Sequence, residues 1–241
     1  MIMDWALIIP LSNEERSLGT LIHGVTAVLD RTGCGTVYLV VDDSSTDRTP
    51  ALCREVARSD PRFLVVYEPG ITNVVAAYLT GYRKAYENGH AFMIEMDAGS
   101  SHDPRQLPDL LHHLREGRSC VYGSRFIPGG SMSGHPFRWL LSRGGSALCR
   151  LLLGTNLHDM TSGYQGFDRE VVGRFLEYSF LSTGHFYQSE LRFLLRRRPS
   201  VEVPIHYRAT TSSVPIKAIL NSVHGLFHYF GLRVLGRAPS L

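Results

Sequence analysis

Short apolar runs and longer helical stripes alternate along the first half of the chain. Trp5 to Ile9 is an apolar run stopped by Pro10 and reads as a buried strand. From Asn13 to Leu29 the spacing turns helical, with Leu18, Leu21, Ile22, Val25 and Leu29 on one stripe. Val37 to Val41 is a second, β-branched run that ends abruptly at Asp42-Asp43. Asp47 to Ala57 predicts a helix entered through Ser and Thr residues that can cap it. Phe63 to Tyr67 predicts a third strand, and Asn73 to Asn88 a helix stopped by Gly89. Ala91 to Met96 is a fourth strand, again ending on an aspartate, Asp97. Leu107 to Arg115 reads as a helix and Cys120 to Gly123 as a fifth strand.

Such alternation implies parallel strands joined by right-handed crossovers. In sheets of this kind ligands sit outside the carboxyl ends of the strands, where Asp43 and Asp97 fall. Beyond Gly123 the pattern is less regular. Gly129, Gly130 and Gly134 mark a mobile loop, Leu140 to Leu153 and Tyr187 to Arg197 read as helices, and Val201 to Tyr207 as a strand.

Composition narrows the classes. The 241 residues suit one large domain, or one domain with a small appendage. A formal net charge of +3 is too small to imply a nucleic-acid partner. The positive charge is uneven, and Arg192, Arg196, Arg197 and Arg198 read as a solvated helix end. Cys34, Cys53, Cys120 and Cys149 form no CxxC pair, which argues against zinc and fits reduced, mostly buried thiols of a cytosolic protein. Met1 to Pro10 lacks a basic segment and reads as a strand rather than a signal peptide. No apolar run reaches the roughly 18 residues of a spanning helix.

Four segments carry chemistry when taken together. They are Ile8-Ile9-Pro10 with Asn13-Glu14; Val41-Asp42-Asp43-Ser44-Ser45-Thr46-Asp47; Glu95-Met96-Asp97-Ala98-Gly99; and Gly123-Ser124-Arg125-Phe126. In this order they resemble the IPxYNE, VDDGSTD, MDAD and GSR motifs of family 2 glycosyltransferases. Asp159-Met160-Thr161-Ser162-Gly163-Tyr164 resembles that family's DxTSGF, Gln188-Ser189-Glu190 its QxE, and Glu202-Val203-Pro204-Ile205 its EVPI strand, with Lys217 beyond. This later set is similar to the dolichol-phosphate mannose synthase-like, polyprenol-phosphate branch. No GxGxxG follows the first strand, which sets aside a dinucleotide-binding oxidoreductase.

The resemblance implies an α/β protein of the GT-A, Rossmann-like fold: a mostly parallel sheet flanked by helices, with a C-terminal amphipathic helical segment. Residues 1–210 would form the catalytic domain and residues 211–241 the tail. It implies transfer from a nucleoside diphosphate-sugar to a polyprenyl phosphate. Pro10, Asn13, Glu14, Asp42, Asp43 and Ala98 would hold the nucleotide. Asp97 would ligate Mg²⁺ or Mn²⁺, because hard cations prefer carboxylate oxygen. Arg125 would grip phosphate through its planar fork of donors. Arg138, Arg143, Ser162 and Lys217 would serve the acceptor phosphate, and Asp159 and Glu190 would line the sugar or orient loop donors.

Three positions depart from the family pattern. Gly99 removes the second carboxylate of Asp-x-Asp, so metal dependence is expected to weaken; Ser101, His102 and Asp103 follow as possible compensation, although Asp103 before Pro104 also reads as a helix cap. Gln165 stands where an arginine often follows TSGF, and Thr210 where an arginine often follows EVPI. Alternatives are a same-fold transferase extending a glycan or lipid-linked saccharide, and a nucleotide-binding pseudo-transferase. Ile216 to Leu235 spaces Ile219, Leu220, Val223, Leu226, Phe227, Phe230 and Leu235 at helical intervals, with basic groups between. It suits a peripheral contact with the cytoplasmic membrane face or a membrane-protein partner, or packing on the core or a neighbouring subunit of a homo-oligomer.

Overall fold

The computed structural model describes residues 4–209 and 216–241. Seven strands form the main sheet: β1 (Trp5–Leu11), β2 (Gly35–Val41), β3 (Phe63–Val66), β4 (Phe92–Glu95), β5 (Cys120–Ser124), β7 (Gln165–Asp168) and β8 (Ser200–Pro204). Their order is β3-β2-β1-β4-β7-β5-β8. β6 (Ser131–Ser133) and β9 (His206–Arg208) pair in parallel as a second, small sheet. The helices are α1 (Leu18–Thr32), α2 (Thr49–Ser59), α3 (Val74–Glu87), α4 (Leu107–Arg115), α5 (Pro136–Leu153), α6 (Arg169–Leu176), α7 (Tyr187–Leu194) and α8 (Ile216–Val234).

Side chains of a strand point alternately to opposite faces. Along β1, Trp5, Leu7, Ile9 and Leu11 pack with α1 and α4, while Ala6 and Ile8 pack with α3, α6 and α7. Both faces of the sheet are thus covered, which explains why its strands read as continuous apolar runs. A third cluster joins α5, α7 and α8 through Cys149, Leu153, Phe186, Phe193, Leu226 and Tyr229. Cys53 and Cys120 are also buried, and Cys34 is exposed.

The structure departs from the sequence expectation at five places. β7 runs antiparallel between β4 and β5, and neither it nor α6 was expected; the Gln165-Gly166-Phe167-Asp168 segment has too little apolar alternation to announce a strand. α1 starts at Leu18, not near Asn13, because residues 12–15 are stitched to the loop after β2. The expected strand Val201 to Tyr207 is two strands, the chain passing at Ile205 from the main sheet to the small one. The glycine segment expected to be a mobile loop contains β6, with Gly130 N–H donating to Ile127 O at 2.9 Å.

The arginine run is the fifth departure, since it is not a solvated end. Arg192 is fully buried. Arg196 donates to Phe193 O and Pro239 O, and Arg198 to Leu241 O. Among the four, only Arg197 is exposed.

Candidate active site

β1 lies between β2 and β4, so the segments leaving the three strands emerge side by side. Asn13 has φ 56°. Its Oδ1 accepts from Thr46 N at 3.0 Å, and Glu14 N donates to Thr49 Oγ1 at 2.8 Å. Asp42 is buried, and its Oδ1 accepts from Ser44 N at 2.7 Å. Asp43 is exposed, with Oδ2 accepting from Gly70 N at 2.7 Å. Pro10 and Ala98 are half-buried on the neighbouring strand ends. The expected nucleotide set is therefore brought together at the carboxyl edge of the sheet.

Asp97 follows β4 and sits in a close cage. Tyr78 of α3 donates its hydroxyl to Oδ1 at 2.5 Å, and His102 Nε2 donates to Oδ2 at 3.2 Å. A Cβ added at Gly163 would lie 2.6 Å from Oδ2, so only glycine lets that turn approach the carboxylate. Burial alone would raise the Asp97 pKa. The hydrogen bond and charge of His102, the Tyr78 hydrogen bond and the charge of His185 outweigh burial and hold the carboxyl below the usual aspartate range. Its side chain remains 37% exposed, open to a ligand.

Behind Asp97 lies Glu95, fully buried. It accepts from Gln165 Nε2 at 2.8 Å. Burial, then the nearby Asp97 charge, pushes its carboxyl well above the normal range. Gln165 Oε1 in turn accepts from Arg192 Nε at 3.0 Å. Arg192 also donates to the carbonyls of Asp159 and Ser162 and lies over the Tyr122 ring. At the position where the family often carries an arginine, this chain thus has glutamine, with a guanidinium supplied beside it from α7.

Asp159 and Arg125 form the second centre. Arg125 Nε donates to Oδ2 at 2.7 Å, Nη2 to Oδ1 at 2.8 Å, and the Arg125 backbone N–H to Oδ2 at 3.0 Å. Nη2 also donates to Thr161 Oγ1 at 2.6 Å. The guanidinium lies 5.0 Å and 5.1 Å from the Phe126 and Tyr207 ring centres. Burial disfavours the Asp159 charge, but the Arg125 guanidinium holds this carboxyl far below the usual range. The expectation that Arg125 offers its fork to phosphate needs correction: the fork is spent on Asp159. Only Nη1 points elsewhere, 3.9 Å from Met132 Sδ.

The remaining expected residues divide. Glu190 does not line the sugar site; fully buried, it accepts from Leu181 N at 2.7 Å, Ser182 N at 2.9 Å and Tyr229 OH at 2.6 Å. It orients that loop and ties it to α8. Ser162 is buried and turned inward, its hydroxyl accepting from Tyr164 N at 3.3 Å. Arg143 is exposed on α5 and packs on the Phe126 ring that also bears Arg125. Arg138 is half-buried near the start of α5. The side chain of Lys217 and residue Thr210 lie outside the described residues. Asp103 caps the 3-10 turn Pro104–Gln106, accepting from Arg105 N at 2.9 Å.

Sequence reasoning missed Tyr78, Glu95, His185 and Arg192. Tyr78 and Arg192 carry no motif signal, since each reads as one more residue of a helix. Glu95 preceded Asp97 in the quoted segment, as the last residue of the strand that Asp97 follows. That position was the signal available. Among the described residues, no group of three His, Cys, Asp or Glu side chains is arranged to hold a metal ion.

The sequence profile of glycosyl transferase family 2 matches residues 6–176. A polyprenol monophosphomannose synthase of Mycolicibacterium smegmatis is 36% identical over 206 residues, covering 83% of this chain and 76% of the relative. An undecaprenyl-phosphate mannosyltransferase of Micrococcus luteus is 34% identical over 203 residues, covering 83% and 82%. In fold the chain is similar to the crystal structure of glucosyl-3-phosphoglycerate synthase from Mycobacterium tuberculosis in complex with uridine diphosphate, with a TM-score of 0.68 at 18% identity over 95% of this chain and 80% of that one. The ordered strand-end motifs, the caged Asp97 and the profile match over most of its length agree: this chain belongs to glycosyl transferase family 2.

Proposed function

We propose that the chain is an inverting transferase that moves a sugar from a nucleoside diphosphate-sugar to a polyprenyl phosphate. The observation that carries this reading is the turn from Asp159 to Tyr164, which touches both centres. Its Asp159 and Thr161 hold Arg125, and its Gly163 lies against Asp97. A donor side built on Asp97 and an acceptor side built on Arg125 thereby share one rigid connection. The names of the two relatives, both polyprenyl-phosphate mannose enzymes, support the choice of acceptor.

In this reading Asp42, Asp43 and Asn13 receive base and ribose beside Pro10 and Ala98. The acceptor phosphate is already an anion at neutral pH, so attack needs no general base. One phosphate oxygen forms the bond to the anomeric carbon. The bond from that carbon to the donor diphosphate breaks, and the nucleoside diphosphate leaves with the electron pair. Arg125 Nη1 and Arg143 face the entering phosphate with positive charge, while Asp159 fixes the Arg125 plane. Arg138, half-buried near the start of α5, supports that side.

The donor set fits a divalent cation. Asp97 offers a partly exposed hard carboxylate, and Mg²⁺ or Mn²⁺ is commonly held by one or two carboxylates plus substrate phosphates. Such a cation would neutralise charge building on the leaving diphosphate. With no three-residue cluster among the described residues, phosphate oxygens and water would complete its shell.

The lipid acceptor also requires a membrane contact. No helix among the described residues is long and apolar enough to cross a membrane. α5 and α8 pack against each other, and each exposes apolar side chains: Phe137, Leu140 and Leu151 on α5, Leu220 and Phe227 on α8. Arg143 and Arg150 of α5 are exposed as well. Apolar groups beside cations suit the boundary of an anionic bilayer. We assign residues 1–210 to catalysis and residues 211–241, together with the exposed face of α5, to this peripheral contact at the cytoplasmic membrane face. The test is incubation of purified protein with a panel of sugar nucleotides and an undecaprenyl phosphate in detergent. Formation of one lipid-linked monosaccharide is expected; sugar appearing only on a saccharide acceptor, or no turnover with any donor, overturns the reading.

A further inference from the structure

Gly99 stands where the family pattern has its second aspartate, and the structure fills the same space from another strand. Gly99 has φ 75°, a left-handed conformation that side chains disfavour. A Cβ built there would lie 3.2 Å from Glu14 Oε1 and 3.6 Å from Glu14 Oε2. The Glu14 carboxylate therefore occupies the volume into which a side chain at position 99 would grow.

Glu14 is held in that place. Its N–H donates to Thr49 Oγ1 at 2.8 Å. Its carbonyl accepts from Ser17 N at 3.1 Å and Leu18 N at 2.9 Å, which ties it to the start of α1. Ser17 Oγ donates to Oε2. Among the described residues no lysine, arginine or histidine pairs with it. A fixed carboxylate without a protein cation, where a donor diphosphate would add further negative charge, calls for a positive ligand.

We propose that Glu14 supplies the carboxylate that Gly99 lacks, so that the divalent cation is held between the β1 loop and the end of β4 by Glu14 and Asp97 together with the nucleotide diphosphate. The inference rests on the transferase reading. It changes the role of Glu14 from a base or ribose contact to a metal contact. Gly99→Asp alone then gives no gain, because the new carboxylate meets Glu14 in a strained backbone.

The test reads binding, not turnover. Mn²⁺ binding is followed by the loss of the free-ion electron paramagnetic resonance signal, with uridine or guanosine diphosphate present. Nucleotide binding alone is measured by calorimetry in excess chelator, and thermal melting checks the fold of each variant. Glu14→Gln is isosteric and is expected to weaken Mn²⁺ binding by about tenfold or more while leaving metal-free nucleotide affinity unchanged. Adding Gly99→Asp to Glu14→Ala, which empties the volume the aspartate would enter, is expected to recover part of the Mn²⁺ binding that Glu14→Ala alone loses. Unchanged Mn²⁺ binding by Glu14→Gln overturns the proposal. So does an equal loss of metal-free nucleotide affinity, which returns Glu14 to the base or ribose. Absence of Mn²⁺ binding by the unaltered chain with either nucleotide also overturns it, and nucleotide binding in chelator then decides whether the transferase reading stands.

Discussion

Arg125 and Asp159 form a two-pronged ion pair, 2.7 Å and 2.8 Å at its two contacts, with side chains that are 4% and 0% exposed. Removing either partner strands a buried charge, which costs about 3–5 kcal/mol. Arg125→Ala and Asp159→Ala are each expected to lower stability by that order, read from urea unfolding midpoints. Arg125→Lys keeps charge without the fork and should lose both stability and turnover to a smaller degree. A midpoint unchanged in either alanine variant would show that the pair does not hold this part of the fold.

The same pair sets an acid limit. The Asp159 carboxyl is depressed far below its ordinary value of 3.8 by Arg125. A depressed carboxyl contributes stability that is fully present above the unfolded pKa and is lost as pH falls through the folded one. Stability should therefore decline below about pH 4 and go on declining well into the acid range. Asp159→Asn should lie lower at neutral pH and fall less steeply across that window. Unfolding curves at several pH values check the difference, and parallel slopes would assign the acid limb to other carboxylates.

Asp97 and Tyr78 separate chemistry from support. Asp97→Asn should cost about 100-fold or more in turnover with little change in melting temperature, because it removes the carboxylate proposed to hold the cation that neutralises the leaving diphosphate. Tyr78→Phe deletes only the hydroxyl that donates to Oδ1 at 2.5 Å. It should cost about tenfold in activity or metal affinity, as expected of a group that orients a ligand. Wild-type kinetics in Asp97→Asn would move the chemistry elsewhere.

Membrane attachment is open to point substitutions on the exposed faces. Truncating α8 would strip Leu226 and Tyr229 from the core and Tyr229 from Glu190, so it would confuse anchoring with folding. Leu220→Ser with Phe227→Ser on α8, and Leu151→Ser on α5, change residues that are 63%, 57% and 73% exposed. Each helix variant should weaken flotation with anionic liposomes while melting like the parent. Equal flotation by parent and variants would remove this surface as the contact.

Much of the N-terminal half was legible in the sequence. The runs ending at Pro10, Asp43 and Asp97 were short, apolar and stopped by polar residues, as buried parallel strands must be. The rest was hidden by its local character. β7 has one large apolar side chain, Phe167, and is a strand because β4 and β5 bond it on both sides. The arginines after Leu191 looked like a solvated end because charge usually is; Arg192 is instead satisfied by carbonyls that only folding brings to it.

By itself the sequence determined the alternation of elements and the sheet edge at which Pro10, Asp43 and Asp97 stand. Those follow from periodicity and from where apolar runs stop, which are properties of neighbours along the chain. Tertiary structure decided what each charged group does. It spent the Arg125 fork on Asp159, turned Glu190 to a loop and α8, and set Tyr78 and His102 on Asp97. It also laid the Glu14 carboxylate over the missing side chain of Gly99. Hydrogen bonds and ion pairs act over a few ångströms, and residues as distant as Glu14 and Gly99, 85 positions apart, reach that range only once the sheet has formed.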